Sequence, residues 1–385
     1  MSAIAAEARI EGAVAPGFER VREVFAMNFA RPEPNGDLGA SLAVYRHGVR
    51  VVDLWGGWRD AARTRPWTHD TLVNVYSTTK GVVACAFAIA VERGAIDYSA
   101  PVTRYWPEFA AAGKGDVTVA HVLSHQAGLP GFEAPTSAED VYDWSGCCAK
   151  LAAQHPLWAA SEATCYHAGT FGFLAGEIFR RAMGETLGAF FAREFAHDLG
   201  CDLYLGTPAS EDGRIAPMIA PAAPPDLAAL NLPRAAQMAM ANPDLSPEQA
   251  NTRAWRAAEL PAMNLHANAD GVARLFAAFA NRGELAGVHV ISPAGIARMT
   301  QVQSTRTDQL LGFEAHWAHG VALNTTGVFG ANREAFGHTG WGGSFGYADP
   351  VTGIAAAYTM NRMGPDLIGD ARAVALANSI AACAA

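Results

Sequence analysis

The sequence predicts an α/β protein in which one sheet-containing domain is built from both ends of the chain. Two β-rich runs lie ahead of residue 76, further strand-like runs lie near the C-terminus, and helical patterns fill the middle. With 385 residues, the chain is also long enough for two packed domains or one large domain. We therefore expect residues 1–75 and 286–385 to form the α/β domain, with a mainly helical domain, residues 76–285, inserted between them.

The first elements are a helix and a β-hairpin. Residues 17–30 repeat apolar side chains at helical spacing, and Pro16 suits the start of such a helix. The β-rich runs 39–45 and 49–55 flank a His-Gly pair, a pattern that is typical of a hairpin.

The middle of the chain begins with a helix that is apolar on nearly every face, residues 81–93. Such a helix belongs in the centre of a protein, and Gly94 is a suitable residue to end it. Further helical patterns cover residues 117–127 and 169–196. Residues 207–261 hold nine prolines, which predicts long loops with short helical pieces.

The C-terminal part returns to strands. Asn268 is placed to cap a helix that runs through Phe279. A last helix covers about residues 366–381. Strand-like runs occupy residues 320–323, 335–338, 343–349 and 354–360.

Composition and charge exclude several classes of protein. A net charge of −9 and a pI of about 5.7 suit neither a nucleic-acid partner nor an anionic membrane surface. Six cysteines without a C-x-x-C pair indicate neither a disulfide framework nor a zinc site. No apolar run reaches membrane-spanning or signal-peptide length. We expect a cytoplasmic chain with no membrane span and no cofactor or metal; the sequence predicts no oligomeric state.

The first candidate for chemistry is the pair Ser77 and Lys80 in the run S-T-T-K. On a helix these two side chains share one face, and the helix N-terminus favours a developing anion. A desolvated lysine can act as the base that a serine nucleophile needs. The alternative is an ordinary helix cap with a solvated lysine. The apolar helix that follows argues against that alternative, because it places Lys80 near a buried segment.

Two further candidates lie later in the chain. Tyr166 precedes a predicted helix and could trade its phenolic proton near a lysine, although a tyrosine there is more often a packing residue. The run G-H-T-G-W-G-G, residues 337–343, could bring backbone N–H groups to an oxyanion, or could be only a glycine-rich turn.

Two other patterns are rejected as sites. Residues 342–346 read G-x-S-x-G, but the nucleophile elbow needs a strand turning into a helix and a histidine later in the chain. Strands follow Ser344 instead, and no histidine follows His338. The spaced histidine pairs 121/125 and 316/319 lack a third ligand, so we expect no metal there.

The three candidate elements, in this order, resemble the motifs of the serine β-lactamase and penicillin-binding-protein superfamily. Their spacing is most similar to that of class C β-lactamases and family VIII carboxylesterases. The segment HVLSHQAGLP, residues 121–130, is similar to a further family segment, and the resemblance covers about residues 35–205 and 262–385. It implies a serine β-lactamase-like fold of the α+β type, with an antiparallel sheet flanked by helices plus a mainly helical domain.

The resemblance also implies roles for single residues. Ser77 would be the acylated nucleophile, Lys80 would accept or steer its proton, and Tyr166 would shuttle a proton to the leaving group and activate water. Which of Lys80 and Tyr166 is the base stays open. The backbone N–H groups of Ser77 and Trp341 would form the oxyanion hole. The substrate contacts would be His338, Gly340, Trp341, Gly342 and Phe132. His338 would hydrogen-bond across towards Tyr166 or the substrate.

Two departures from the β-lactamase pattern bear on the substrate. Ala168 stands where an asparagine would hold a lactam's side-chain amide, and His338 replaces the lysine of the third motif. Losing a charge-assisted contact to the drug's carboxylate costs about 1.5–3 kcal/mol. We therefore expect a serine carboxylesterase for short-chain, neutral esters, with weak β-lactam hydrolysis as a side activity. The alternatives are a β-lactamase or D,D-peptidase, an acyltransferase using the same serine, and a catalytically idle scaffold.

Overall fold

The computed structural model describes residues 8–222 and 231–384. Seven strands form an antiparallel sheet, named here the main sheet: β1 (Ile10–Val14), β2 (Gly39–Arg46), β3 (Val49–Gly57), β9 (Ala322–Leu323), β10 (Phe336–Thr339), β11 (Phe345–Asp349) and β12 (Ile354–Met360). Shorter strands are β4 (Val73–Asn74), β5 (Leu203–Tyr204), β6 (His266–Ala267), β7 (Glu284–Leu285) and β8 (Val288–His289).

The main sheet joins the two ends of the chain, as the sequence predicts. Its strand order is β1-β3-β2-β12-β11-β10-β9, and β2 pairs with β12 from Ala40 opposite Met360 to Arg46 opposite Ile354. All of β12 and nearly all of β2 are buried, so both faces of the sheet are covered. The predicted hairpin is confirmed as β2 and β3, whereas β1 is a strand that the sequence analysis did not find.

Eleven α-helices lie in the described ranges. They are α1 (Glu19–Ala30), α2 (Thr78–Glu92), α3 (Val119–Leu123), α4 (Trp144–Ala153), α5 (Thr170–Met183), α6 (Leu187–Phe190), α7 (Arg234–Ala241), α8 (Arg253–Ala257), α9 (Ala269–Ala280), α10 (Pro293–Met299) and α11 (Ala371–Ala384). Helix α9 packs across β2, β11 and β12, while α1 and α11 pack against each other beside the sheet. No described helix is long and apolar enough to cross a membrane.

Helix α2 is the central helix that the sequence predicts. Thirteen of its 15 residues are buried, which agrees with its lack of a polar face. Gly94 follows its end in the left-handed conformation, with φ at 74°. Helix α2 packs against β10 and β11 of the main sheet, and Thr78 in its first turn bonds Ser344, which directly precedes β11.

Three predicted helices have other bounds in the structure. The pattern at 117–127 forms only the short α3, because His125 adopts a positive φ of 62°. The pattern at 169–196 is interrupted by Gly184, whose φ is 71°, so that α5 and α6 are separate. The last helix begins at Ala371 instead of 366, where the Asp370 carboxylate accepts from the backbone N–H of Arg372 and Ala373.

The proline-rich segment 207–261 forms loops with short helices, as expected, apart from residues 223–230, which lie outside the described residues. The division into two domains at residues 76 and 285 stays a prediction.

Candidate active site

Ser77 lies at the N-terminus of α2, directly after a sharp change of chain direction. Tyr76, the residue before it, has a φ of 43°, which is uncommon for a bulky side chain. Strain of this kind occurs at functional sites that the surrounding structure holds in place. The turn connects β4 to α2 and leaves Ser77 at the edge of a cleft.

Lys80 lies one turn along α2 and contacts Ser77 directly. Its Nζ is 3.2 Å from Ser77 Oγ and 2.9 Å from each of the backbone oxygens of Ala168 and Ala262. The lysine is fully buried and forms no ion pair with a described carboxylate. Burial therefore lowers the pKa of Lys80 well below its ordinary value.

A neutral amine can satisfy the three partners of Lys80. A neutral amine has two N–H groups and one lone pair, and two of its partners here are carbonyls that can only accept. The third partner, the Ser77 hydroxyl, can donate its proton to the lone pair. The geometry thus suits the proton transfer that a serine nucleophile requires.

Tyr166 lies over this pair. Lys80 Nζ is 4.7 Å from the centre of the phenol ring, and the buried hydroxyl makes no hydrogen bond of standard geometry with a described residue. Burial raises the pKa of Tyr166, and the nearby Ser77 hydroxyl offsets part of that rise. The phenol is therefore neutral at ordinary pH and available as a proton donor.

Asp308 holds Tyr166 in place and was missed by the sequence analysis. Its Oδ1 accepts from the backbone N–H of Tyr166 at 3.0 Å and also from those of Leu310 and Leu311. The carboxylate is fully buried, and burial raises its pKa. No sequence pattern could reveal this contact, because 142 residues separate the two partners.

The predicted oxyanion donors are the backbone N–H groups of Ser77 and Trp341. Neither Ser77 nor Trp341 donates its backbone N–H to any group of the described residues. The carbonyl of Gly340 turns inward and accepts from Gly343 at 3.1 Å. In a trans peptide the C=O and N–H point in opposite directions, so the Trp341 N–H is directed away from that turn.

His338 differs from the expectation. Its Nδ1 lies 2.7 Å from its neighbour's carbonyl, Thr339 O, and its Nε2 has no partner among the described residues. The ring centre is 5.9 Å from that of Tyr166, and no hydrogen bond joins the two side chains. Burial lowers the pKa of His338 to about 3, so the ring is neutral at ordinary pH.

The cleft in front of Ser77 encloses about 950 Å³ of empty space, part of it open to solvent. Its described wall is mostly apolar and includes no Asp, Glu, Lys, Arg or His side chain. The predicted contacts Phe132 and Trp341 lie in this wall, together with Ser77, Tyr166 and Ala168.

Three predicted substrate contacts do not line this cleft: His338, Gly340 and Gly342. Side chains behind the wall surround the two glycines, since a Cβ on Gly340 would meet Ser344 and a Cβ on Gly342 would meet Met363. His338 lies at a smaller cavity with Trp317 and Phe313. The geometry therefore does not support a role for these three residues as direct contacts.

The G-x-S-x-G run does not form a nucleophile elbow. Ser344 is buried, its Oγ bonds Thr78 and the Val75 carbonyl, and the chain continues into strand β11 instead of a helix. Within residues 8–222 and 231–384, no group of three or more His, Cys, Asp or Glu side chains is arranged to hold a metal ion.

The chain is similar to known proteins in both sequence and structure. The beta-lactamase family profile matches residues 30–379. The chain is 35% identical over 372 residues to the esterase/beta-lactamase LipL of Mycobacterium tuberculosis, covering 92% of this chain and 83% of that protein. It is 39% identical over 113 residues to esterase EstB of Burkholderia gladioli, covering 28% of this chain and 29% of that protein.

Two solved structures superpose closely on this chain. The crystal structure of a family VIII carboxylesterase superposes with a TM-score of 0.92 and 45% identity, over 97% of this chain and 100% of that one. A penicillin-binding protein homologue from Caulobacter crescentus also superposes with a TM-score of 0.92, at 42% identity and with the same coverage.

Proposed function

Because the chain belongs to the beta-lactamase family and has its fold, we propose that it is a serine carboxylesterase that hydrolyses neutral esters through an acyl-enzyme on Ser77. The relatives support ester hydrolysis, since two of the similar proteins are named esterases and one similar structure is a carboxylesterase. The assignment of individual residues to steps is our proposal.

The observation that carries the choice of substrate is the uncharged wall of the cleft. No described residue of that wall offers a cation to the carboxylate of a β-lactam drug. His338, at the position of the third-motif lysine, has a pKa lowered to about 3 and supplies no charge at ordinary pH. A neutral ester needs no such contact, so the cleft favours it over a carboxylate-bearing substrate.

Acylation follows from the contacts of Ser77. Its Oγ attacks the ester carbonyl carbon while its proton passes to the neutral Lys80 Nζ, 3.2 Å away. The carbonyl oxygen becomes an oxyanion held by the N–H groups of Ser77 and Trp341. When the carbon–oxygen bond to the alcohol breaks, Tyr166 donates its proton to the leaving oxygen and regains one from Lys80.

Deacylation uses the same groups in the opposite direction. A water molecule attacks the acyl carbon and passes a proton to Tyr166, which hands its own proton to Lys80. The ester bond to Ser77 then breaks, and Lys80 returns the proton to the serine oxygen. Lys80 therefore serves as the base in both halves, and Tyr166 carries protons between it and the substrate.

Acyl transfer to an alcohol is the second candidate. The apolar wall, which includes Phe132, Phe173 and Trp255, favours an alcohol over water as the acceptor. β-Lactamase and D,D-peptidase activities fit the uncharged wall less well. The cytoplasmic location expected from the sequence stays a prediction.

A pair of matched esters tests the proposed substrate class. We expect p-nitrophenyl butyrate to exceed p-nitrophenyl hemisuccinate, its carboxylate-bearing analogue, by about 10–150-fold in kcat/KM. The physical reason is that the carboxylate loses water in the cleft without gaining a cation. The chromogenic cephalosporin nitrocefin should be a slow substrate in the same assay. Equal rates for the two esters, or nitrocefin turnover that rivals the butyrate, would overturn the proposal.

A further inference from the structure

We propose that Arg372 is a positioning residue for the oxyanion hole, because it fixes the loop that carries the Trp341 N–H. The inference rests on the proposed function, since the oxyanion hole serves the acyl-enzyme chemistry at Ser77. Arg372 lies in the first turn of α11, is 3% exposed, and does not line the cleft.

Arg372 contacts the loop that contains Trp341 and Gly342. Nη2 of Arg372 donates to the Gly342 carbonyl at 2.8 Å, one residue after Trp341. Gly342 has a φ of 91°, a backbone conformation that L-residues rarely adopt. The same carbonyl accepts from the Gly364 N–H at 2.9 Å, so two donors hold it.

The guanidinium of Arg372 is itself held in one position. All five of its N–H groups have acceptors: Asp370 accepts from Nε and Nη2, Asp37 and the Arg362 carbonyl accept from Nη1, and Gly342 accepts from Nη2. Asp37 is held in turn by the Tyr358 hydroxyl at 2.6 and 2.7 Å. A planar guanidinium with every donor used has one orientation.

The buried ion pairs of Arg372 with Asp37 and Asp370 are not needed to fill space. Burying charged groups is costly, and apolar side chains of similar volume often stabilise a fold as well or better. Burial indeed raises the pKa of Asp37 in spite of its arginine partner. An apolar side chain could fill the same volume but could not donate to the Gly342 carbonyl. That contact is the property of Arg372 that links the network to the catalytic loop.

The contact between Arg372 and Gly342 bears on the orientation of the Trp341 N–H. The Gly340 carbonyl accepts from Gly343 within the loop, which directs the Trp341 N–H the other way. With Gly342 fixed by Arg372 and the turn closed by Gly343, the peptide between Gly340 and Trp341 keeps its orientation. Oxyanion stabilisation depends on such preorganised donors.

The test is Arg372→Lys, which keeps one positive charge near the two aspartates but cannot span to Gly342 as well. We expect kcat/KM for p-nitrophenyl butyrate to fall about 10–100-fold, because a misplaced donor stabilises the oxyanion less well. The decisive readout is the carbonyl stretch of the acyl-enzyme in difference infrared spectra. It should move to higher wavenumber, since a weaker hydrogen bond leaves more double-bond character. A purely structural role would not move this band.

A matched control is Arg181→Lys, which is the same exchange at another arginine. Arg181 forms ion pairs with Glu177 and Glu108 and is distant in sequence from the loop. It should leave both readouts at wild-type values. Should Arg372→Lys fail to fold, Asp370→Asn weakens the hold on Arg372 and should shift the band in the same direction.

The outcomes separate the two proposals. A folded Arg372→Lys or Asp370→Asn variant with the wild-type band and wild-type kcat/KM overturns the positioning role. A wild-type protein that forms no acyl-enzyme at all contradicts the proposed function first, and the positioning role with it. A shifted band with reduced kcat/KM in the variant alone supports the inference.

Discussion

At the scale of residues, two buried lysines show how the same side chain is given different chemistry. Lys114 Nζ donates to three backbone carbonyls, those of Ala111, Ala152 and Gln154, at 2.6–2.9 Å. Three pure acceptors need the three N–H groups of an ammonium ion. Lys80 has two carbonyls and the Ser77 hydroxyl, which suits the neutral amine. The contacts of Lys80 therefore allow a neutral base, whereas those of Lys114 use all three N–H groups of an ammonium ion.

The pH dependence of the reaction tests the role of Lys80. Its pKa is lowered from an ordinary value of 10.5, and only the neutral amine accepts the serine proton. The value of kcat/KM should therefore rise with pH through that lowered pKa and be lost as pH falls below it. Lys80→Arg should be inactive at every pH, because a guanidinium keeps its proton. A value of kcat/KM that falls as the amine loses its proton, or an active arginine variant, would contradict the assignment of the base.

At the scale of elements, the predictions succeeded where one local signal dominates. Helix α2 was found because it is apolar all round, and α9 because Asn268 precedes an apolar helical pattern. Bounds were wrong where a single backbone conformation ends a helix, as at His125 and Gly184. Such positive φ values depend on tertiary contacts, so a periodic pattern runs across them unbroken. Strand β1 was missed for a related reason, since it is short and mostly exposed at the sheet edge.

The N-cap of α9 gives a test at this scale. Asn268 Oδ1 accepts from the Gly271 N–H at 2.8 Å, and its Nδ2 donates to Asp202 at 3.0 Å. Asn268→Ala should lower the free energy of unfolding by about 1–2 kcal/mol, because an N–H of the first turn loses its acceptor. Denaturant titration measures the loss, and kcat/KM should stay unchanged. Asn268→Ser restores a capping hydroxyl and should recover most of the stability; equal stability of the alanine variant would refute the cap.

At the scale of the whole molecule, the site is assembled from segments that are far apart in sequence. Ser77 and Lys80 come with α2, Tyr166 precedes α5, and Trp341 follows β10 of the main sheet. Their motifs could be read from the sequence because each is a short local pattern with a family resemblance. Asp308 lies far along the chain from its partner Tyr166 and belongs to no motif.

The role of Arg372 and the lack of charge in the cleft likewise could not be predicted from the sequence. Arg372 acts on Gly342 from 30 residues away, and nothing in the local sequence marks it. The cleft wall combines side chains from several elements, so its lack of charge is visible only in the folded chain. Sequence reasoning also placed His338 and two glycines at the substrate, whereas all three are buried and do not line the cleft.

The most direct test of the central claim is to locate the acyl group. Wild-type protein is quenched with acid during turnover of p-nitrophenyl butyrate, digested, and analysed by mass spectrometry. We expect one butyryl group on the peptide that contains Ser77, none in Ser77→Ala, and an unchanged label in the matched control Ser344→Ala. A label on Ser344 or on another residue, or full ester turnover by folded Ser77→Ala, would contradict the account.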